Sequence, residues 1–484
     1  MRCFSLLIGI SLAIAGCKSF DQLAASPVAK TPVHRPTPQV VAKPADPAPH
    51  AEPQAPPADQ PAVQQVQHVE PAPAEPETLP PATLPPATLQ PVVLGKLTLA
   101  ELEQMAIAAN PSVARAAALV DAARGNWIQV GLPPNPNVGY EGQQIGSAGR
   151  AEQDGVFIEQ EIVRLRKLRL NREVAAQEIA KAEQQLAMQQ QRVLTDVRIA
   201  YYEVLIAERQ KTLTGQLRDI AAAALKVAEA LLKGKEVGRP DVIQAQLEMG
   251  NAEILAQNAE NRHAAAWRTL ATIIGEPNRA PQPLDGNVDE PRPEHLWDES
   301  LQRLLSTSPE IALAASEIER ARWAVERAYV EKKPNLTVQG LVNWRDNGIG
   351  GDSDGSLTVG IPLPLWNRNQ GGIIQAEGQA AAAERALQQL ELSLQNRLAP
   401  VFERYASALN QVTKYREKLL PAAQESLDLA RRLYQAGETP YLNLLTAQRS
   451  FSQTNLNYLE SLSELRSAEA EIEGLLLSGS LETR

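Results

Sequence analysis

Among the residues able to do chemistry, Cys17 has the most informative setting. It follows Arg2, an apolar run over residues 4–15 and the small pair Ala15-Gly16. This is the layout of a secretory signal, and a small pair directly before cysteine fits the bacterial lipobox. Residues 1–16 are therefore expected to be removed, and the Cys17 thiol to be acylated as the first mature residue. Lys18 follows it rather than an aspartate, which favours delivery to the outer membrane. Because Cys3 lies in the removed segment, no thiol remains for a disulfide or a thiolate nucleophile.

The other candidates read as structure. His34, His50 and His68 are scattered through a proline-rich stretch, and His263 and His295 are isolated. Asp346, Asp352 and Asp354 sit in a Gly-rich loop, but their spacing is wrong for an EF-hand and no glutamate closes the set. Asp196 and Glu203 have the look of helix-face charges. No Ser/His/Asp or Cys/His set and no phosphate loop appears, so neither catalysis, a cofactor nor a metal site is expected. The net charge of −10 gives no reason to expect nucleic-acid binding.

The elements come next. Residues 17–94 begin with the lipidated cysteine and are low in complexity, with about half of the chain's 36 prolines. Such a segment cannot bury a core; extended as polyproline II, its low-complexity part from about Ser26 to Gln90 could reach roughly 200 Å, as a tether. Order is expected from 95. Thr98 and Glu101 form a capping box, and Asn110-Pro111 ends one helix and starts the next. Strands are expected at about 137–145 and 153–163, with Val156, Ile158 and Ile162 on one face. Residues 165–233 contain no proline and only Gly215, so one helix of about 100 Å is expected. It breaks at Gly234–Pro240 and resumes over about 241–274.

After a proline-broken linker at 275–296 the pattern repeats over 297–484. Pro309 repeats Pro111 and Pro334 repeats Pro136, both at an offset of 198, and Pro440 repeats Pro240 at 200. The second copy predicts strands at about 335–345 and 356–366 and helices at about 368–435 and 441–476. In the last strand Leu357, Val359, Ile361, Leu363 and Leu365 alternate with polar or small residues. A seam from Leu387 through Leu398, Tyr405 and Val412 to Leu419 has coiled-coil spacing, and Pro400 and Pro421 should bend it.

Each copy thus supplies two strands and a long helical hairpin. No stretch after residue 16 has the apolar length of a membrane helix, so any membrane crossing must be made by strands in a closed barrel. Four strands cannot close alone, and several chains must pool them around a lumen lined by Thr, Gln, Asn and Gly. Trp344 and Trp366 sit at opposite strand ends, where interface aromatics belong. Arg164, Arg166, Lys167 and Arg169 follow the second strand and either meet phosphate headgroups or form a solvated face.

From about Leu97 to Leu476 the sequence resembles the TolC-type outer membrane efflux proteins. The resemblance is carried by Leu97-Thr-Leu-x-Glu101 with Asn110-Pro111, by Pro362-Leu-Pro-Leu-Trp366-Asn-Arg-Asn-Gln-Gly-Gly372, and by Leu433-Tyr-Gln-Ala-Gly437-Glu-Thr-Pro440-Tyr-Leu-Asn-Leu-Leu-Thr-Ala-Gln448. It implies a mainly α protein with a membrane β-barrel portion. A homotrimer would pool four strands per chain into twelve and continue as a helical tunnel in the periplasm. The partners implied are outer membrane lipid, a periplasmic adaptor and an inner-membrane efflux transporter. The proline-rich strand exit looks most like the subgroup exporting heavy-metal cations.

The helix–turn–helix points become tunnel tips, where the family docks its adaptor and closes its entrance. The residues concerned are Gly238, Pro240, Asp241, Tyr434, Gly437, Pro440 and Leu444, with Asp241 and Tyr434 matching an entrance-closing pair. Asn443 and Thr446 stand where better-studied members carry acidic residues, which argues against an aspartate ring at the entrance. Two other classes compete: a lipid-anchored periplasmic adaptor and a coiled-coil tether without a pore. The first would need a lipoyl-like β-domain; the second would not need duplicated amphipathic strands.

Overall fold

A computed structural model describes residues 95–143, 153–345 and 353–482. The chain divides into residues 1–87 and 88–484, and all that follows concerns the second unit. Cys17, the proline-rich segment, Asp346 and Asp352 lie outside the described residues.

The first repeat comprises α1 (Leu99–Ala109), α2 (Pro111–Gln129), β1 (Asn137–Gln143), β2 (Gln153–Ile162), α3 (Lys167–Lys233) and α4 (Arg239–Ile273). The second comprises α5 (Trp297–Thr307), α6 (Pro309–Glu331), β3 (Leu336–Arg345), β4 (Asp354–Gly360), α7 (Gln370–Lys414), α8 (Leu420–Gln435) and α9 (Tyr441–Glu473). Local chemistry sets the ends. The Thr98 side chain and Glu101 cap α1 reciprocally. Asn110 accepts from the Ser112 amide and donates to the Ile273 carbonyl at 2.8 Å, so the same residue starts α2 and anchors the end of α4. Ser308 repeats the cap at α6, accepting from the Glu310 amide.

A π-helical turn, Tyr415–Leu419, separates α7 from α8. Such a turn inserts one residue into an α-helix, and Pro421, which has no N–H to return to the preceding turn, lies two residues beyond its end. The insertion moves the coiled-coil seam. Leu419, expected inside it, is 47% exposed, while Leu420 packs on the core. Pro400 sits within α7 without ending it.

The four strands form one antiparallel sheet in the order β1-β2-β3-β4, so the two repeats meet at the β2–β3 pairing. The last strand is shorter than the alternation suggests. It pairs only to Gly360, opposite Thr337, and residues 361–366 leave the sheet. Two causes coincide: Pro362 and Pro364 have no ladder donor, and β3 itself begins at Leu336.

The helices share a core in which Leu102, Ile206, Leu270, Leu394, Leu398 and Leu462 are all but fully buried. The linker between the repeats is part of this core. Arg466, buried in α9, donates to the carbonyl of Val288 at 2.7 Å and to that of Glu290. It also pairs with buried Glu469 at 2.7 Å. Tyr458 and Arg209 bond to Asp289. Burial works to raise the Asp289 pKa, but those hydrogen bonds and the nearby Arg charges hold it below its ordinary value. The linker is therefore tied down by charged side chains reaching its backbone.

Candidate functional site

The sheet separates its residues into two faces by strand parity. One face carries Val138, Tyr140, Val156, Ile158, Val342, Trp344, Leu357 and Val359, each between 46% and 74% exposed. Register places them side by side: Val138 opposes Ile158, Tyr140 opposes Val156, and Val156 opposes Val342, while Val359 opposes the half-buried Val338. Water disfavours so continuous an apolar surface, while a bilayer favours it. Trp344 lies against Tyr140 with ring centroids 6.5 Å apart, and Trp366 beyond the other end of the sheet is 85% exposed.

The opposite face carries Thr337, Gln339, Asn343, Ser356 and Thr358, and also Phe157 paired with Leu341. The expectation of a purely polar inner face is thus corrected at one row. Phe157 lies across Gly139, where an added Cβ would come within 2.7 Å of its ring. The signal was available, since Phe157 has the parity opposite to Val156 and Ile158. Both outer strands, β1 and β4, present unpaired edges.

The second pair of features lies at the far ends of the helical hairpins. Both turns between helices are Schellman motifs. In the first, Glu236 N–H donates to the Leu231 carbonyl and Lys235 N–H to that of Leu232; in the second, Glu438 donates to Leu433 and Gly437 to Tyr434. Every equivalence is offset by 202, with Lys235 and Gly437 both left-handed at φ +62° and +75°. The proline landmarks, offset by 200, are consequently not structural equivalents. Pro440 is the N-cap of α9, and its counterpart as N-cap of α4 is Gly238. Asp241 corresponds to Asn443.

Asp241 and Tyr434 do not bond to one another. An Asp241 carboxylate oxygen accepts from the Gly238 amide at 3.1 Å and so caps α4. The Tyr434 hydroxyl is buried without a partner among the described residues. Burial raises its pKa, and the charge of Asp241 raises it further. Tyr434 packs on Tyr441, with centroids 5.6 Å apart, in a small core with Leu427, Val242 and Leu444. Burial, with the Glu248 charge adding, pushes the Tyr441 hydroxyl up to about 12. A cleft of about 190 Å³ between α3, α8 and α9 is lined by Gln216, Leu427, Tyr434, Leu444 and Gln448.

A sheet with one apolar face, two open edges and a duplicated set of long helices defines a membrane channel that is strand-built in lipid and helix-built outside it. The profile of the outer membrane efflux protein family matches residues 102–276 and 300–476, and the chain belongs to that family. It is similar to the cobalt-zinc-cadmium resistance protein CzcC of Cupriavidus metallidurans, 28% identical over 77% of this chain and 88% of that protein. It is 23% identical to the cation efflux system protein CusC of Escherichia coli K12, over 51% of this chain and 60% of that one. Among solved structures, the outer membrane protein VceC of Vibrio cholerae superposes with a TM-score of 0.64 at 18% identity, covering 78% of this chain and 96% of that chain. The protein is an outer membrane channel of tripartite efflux, with its helices in the periplasm.

Proposed function

We propose that three copies of the chain close a twelve-stranded barrel and passively conduct small metal cations delivered by an inner-membrane transporter and a periplasmic adaptor. The observation that carries this reading is the four-stranded sheet with its exposed apolar face and two unpaired edges. Lipid offers no hydrogen bonds to an open edge, so β1 of one copy must pair with β4 of another. The helices make the same demand: Ile243, Leu247 and Ile254 leave an apolar stripe on α4, from 47% to 64% exposed, for a second copy to cover.

The cargo assignment draws on the likeness to CzcC and CusC and on the Pro-rich exit at 362–372. Trp344 and Trp366 take the two membrane interfaces, and Cys17 carries the lipid. The tips, with Gly238, Pro240, Asp241, Tyr434, Gly437, Pro440 and Leu444, receive the adaptor and close the entrance. The Tyr434 hydroxyl, without a partner among the described residues, is the group that would meet Asp241 in the closed entrance.

Mass of the detergent-extracted protein together with conductance in planar bilayers tests the channel. A trimer that conducts supports it, and a monomer without a pore overturns it. Loss of zinc, cobalt and cadmium tolerance in a deletion strain, with drug tolerance intact, supports the cargo; the reverse pattern overturns it. Asp241→Ala should raise single-channel conductance. An unchanged conductance would remove Asp241 from the closure.

A further inference from the structure

The end of the sheet nearest the helices combines two unusual surfaces. Chain segments 163–166, 332–335 and 361–369 converge there. The Arg164 amide meets the Asn335 side chain, and the Asn369 side chain donates to the Ala328 carbonyl at 2.9 Å. Leu363, Leu365 and Trp366 are 75%, 58% and 85% exposed. They prolong the apolar face of β4 past the point where its pairing stops.

Beside them stand Arg164, Arg166, Arg169, Lys332, Lys333 and Arg368, all exposed. Among the described residues none of these six has a carboxylate partner. Elsewhere in the helices cations are commonly matched, as in Arg198 with Glu103, Arg320 with Glu317 and Arg397 with Glu310. For the four arginines sequence explains the imbalance: between Glu161 and Glu173, and again between Asp354 and Glu377, there is no acidic residue. Lys167 is the exception that defines the set. Its side chain is 3% exposed and pairs with Glu331 at 3.7 Å, so it serves the packing of α3 on α6.

Unmatched cations directly below an exposed apolar band are complementary to one surface: a leaflet with acyl chains above and phosphates beneath. We propose that Arg164, Arg166 and Arg368 form a collar that binds the phosphates of anionic phospholipids in the periplasmic leaflet. The collar rests on the membrane placement of the sheet and adds the headgroup class that this rim selects. Both repeats contribute to it from the same junction: Arg166 is the N-cap of α3, and Arg368 lies one residue before Asn369, the N-cap of α7.

The test uses the full-length purified protein and two probes, phosphatidylglycerol and phosphatidylcholine, counted as retained lipids by native mass spectrometry. The wild type should retain phosphatidylglycerol preferentially. The triple variant Arg164→Gln/Arg166→Gln/Arg368→Gln should lose that preference by on the order of 100-fold at low salt. A control triple, Arg115→Gln/Arg322→Gln/Arg385→Gln, should keep it. Equal retention of the two lipids by the wild type overturns the collar, as does an unchanged preference in the triple variant. Complete displacement by inorganic phosphate at matched ionic strength would make it a soluble-anion site and also overturn it. A shift in ion selectivity with headgroup preference intact would place the cations on the pore. Conductance of the wild type is measured in parallel: a protein without a pore contradicts the channel itself, whereas a pore without headgroup preference contradicts only the collar.

Discussion

The two tips share a backbone and differ in what they bury. Arg239 opens α4 exposed to solvent, while its counterpart Tyr441 opens α9 with 3% of its surface accessible. One turn on, Val242 and Leu444 are both buried, but Ile243 is 47% exposed where Leu445 is 4% exposed. The first tip therefore packs a narrow stripe, Val242 and Ala245, and leaves its other apolar residues uncovered. The second packs a broad one. Helix ends are set by a few backbone hydrogen bonds, and those bonds place no requirement on the face that follows. A duplicated turn can thus diverge into one anchored copy and one free for contact.

The largest test of this contrast is truncation at the equivalent positions. Tyr441→Ala should cost about 3–5 kcal/mol of local stability, read as lost hydrogen-exchange protection in α8 and α9. Arg239→Ala should cost nothing measurable. Tyr441 also gives a pH signature. Its folded pKa, about 12, lies above the ordinary value of 10.0, so the unfolded tip releases its proton first. Stability from this group is complete below pH 10 and declines as pH rises towards 12; Tyr441→Phe should lack that decline in a pH-resolved exchange series.

The left-handed positions test the shared backbone. Gly437→Lys should destabilise the second tip by about 1–2 kcal/mol, and Lys235→Gly should stabilise the first by a similar amount. Unequal and unrelated responses in thermal unfolding would break the equivalence at an offset of 202. The smallest effect expected is at Tyr434. Removing an unpartnered buried hydroxyl with Tyr434→Phe should stabilise the tip by about 1 kcal/mol. A destabilised tip with raised conductance would instead show that the hydroxyl finds a partner in the assembled channel.

Much of this was legible in the chain. The four strands, the helical hairpins and the duplication rest on alternation, proline-free runs and repeated Asn-Pro and Ser-Pro caps, all of which are local. What escaped depends on neighbours. That pairing lapses near Pro362 and Pro364 is readable from their missing donors, but not that it stops at Gly360 because β3 has no partner to offer below Leu336. The π-helical turn adds a single residue to a seam whose steps of three and four already vary. Pro240 and Pro440 are conspicuous residues at unlike positions of like turns, so aligning them gives 200 where the hydrogen bonds give 202. Asp241 and Tyr434 could be matched by position, but the Gly238 amide was the nearer donor. The Arg466 network was invisible because its acceptors are linker carbonyls, which any sequence supplies.

The junctions between sheet and helix have a mechanical consequence. On the first repeat the change of direction is made at Leu165 and Arg166, both left-handed, and on the second at Asn369. A helix resists twisting because each turn is bonded to the next; at the pivots the bracing falls to a few bonds, such as Arg164 to Asn335 and Asn369 to Ala328. Torque applied at the tips is therefore taken up at these pivots before it can shear the sheet. The wall in the membrane can hold its shape while the far ends of the helices turn.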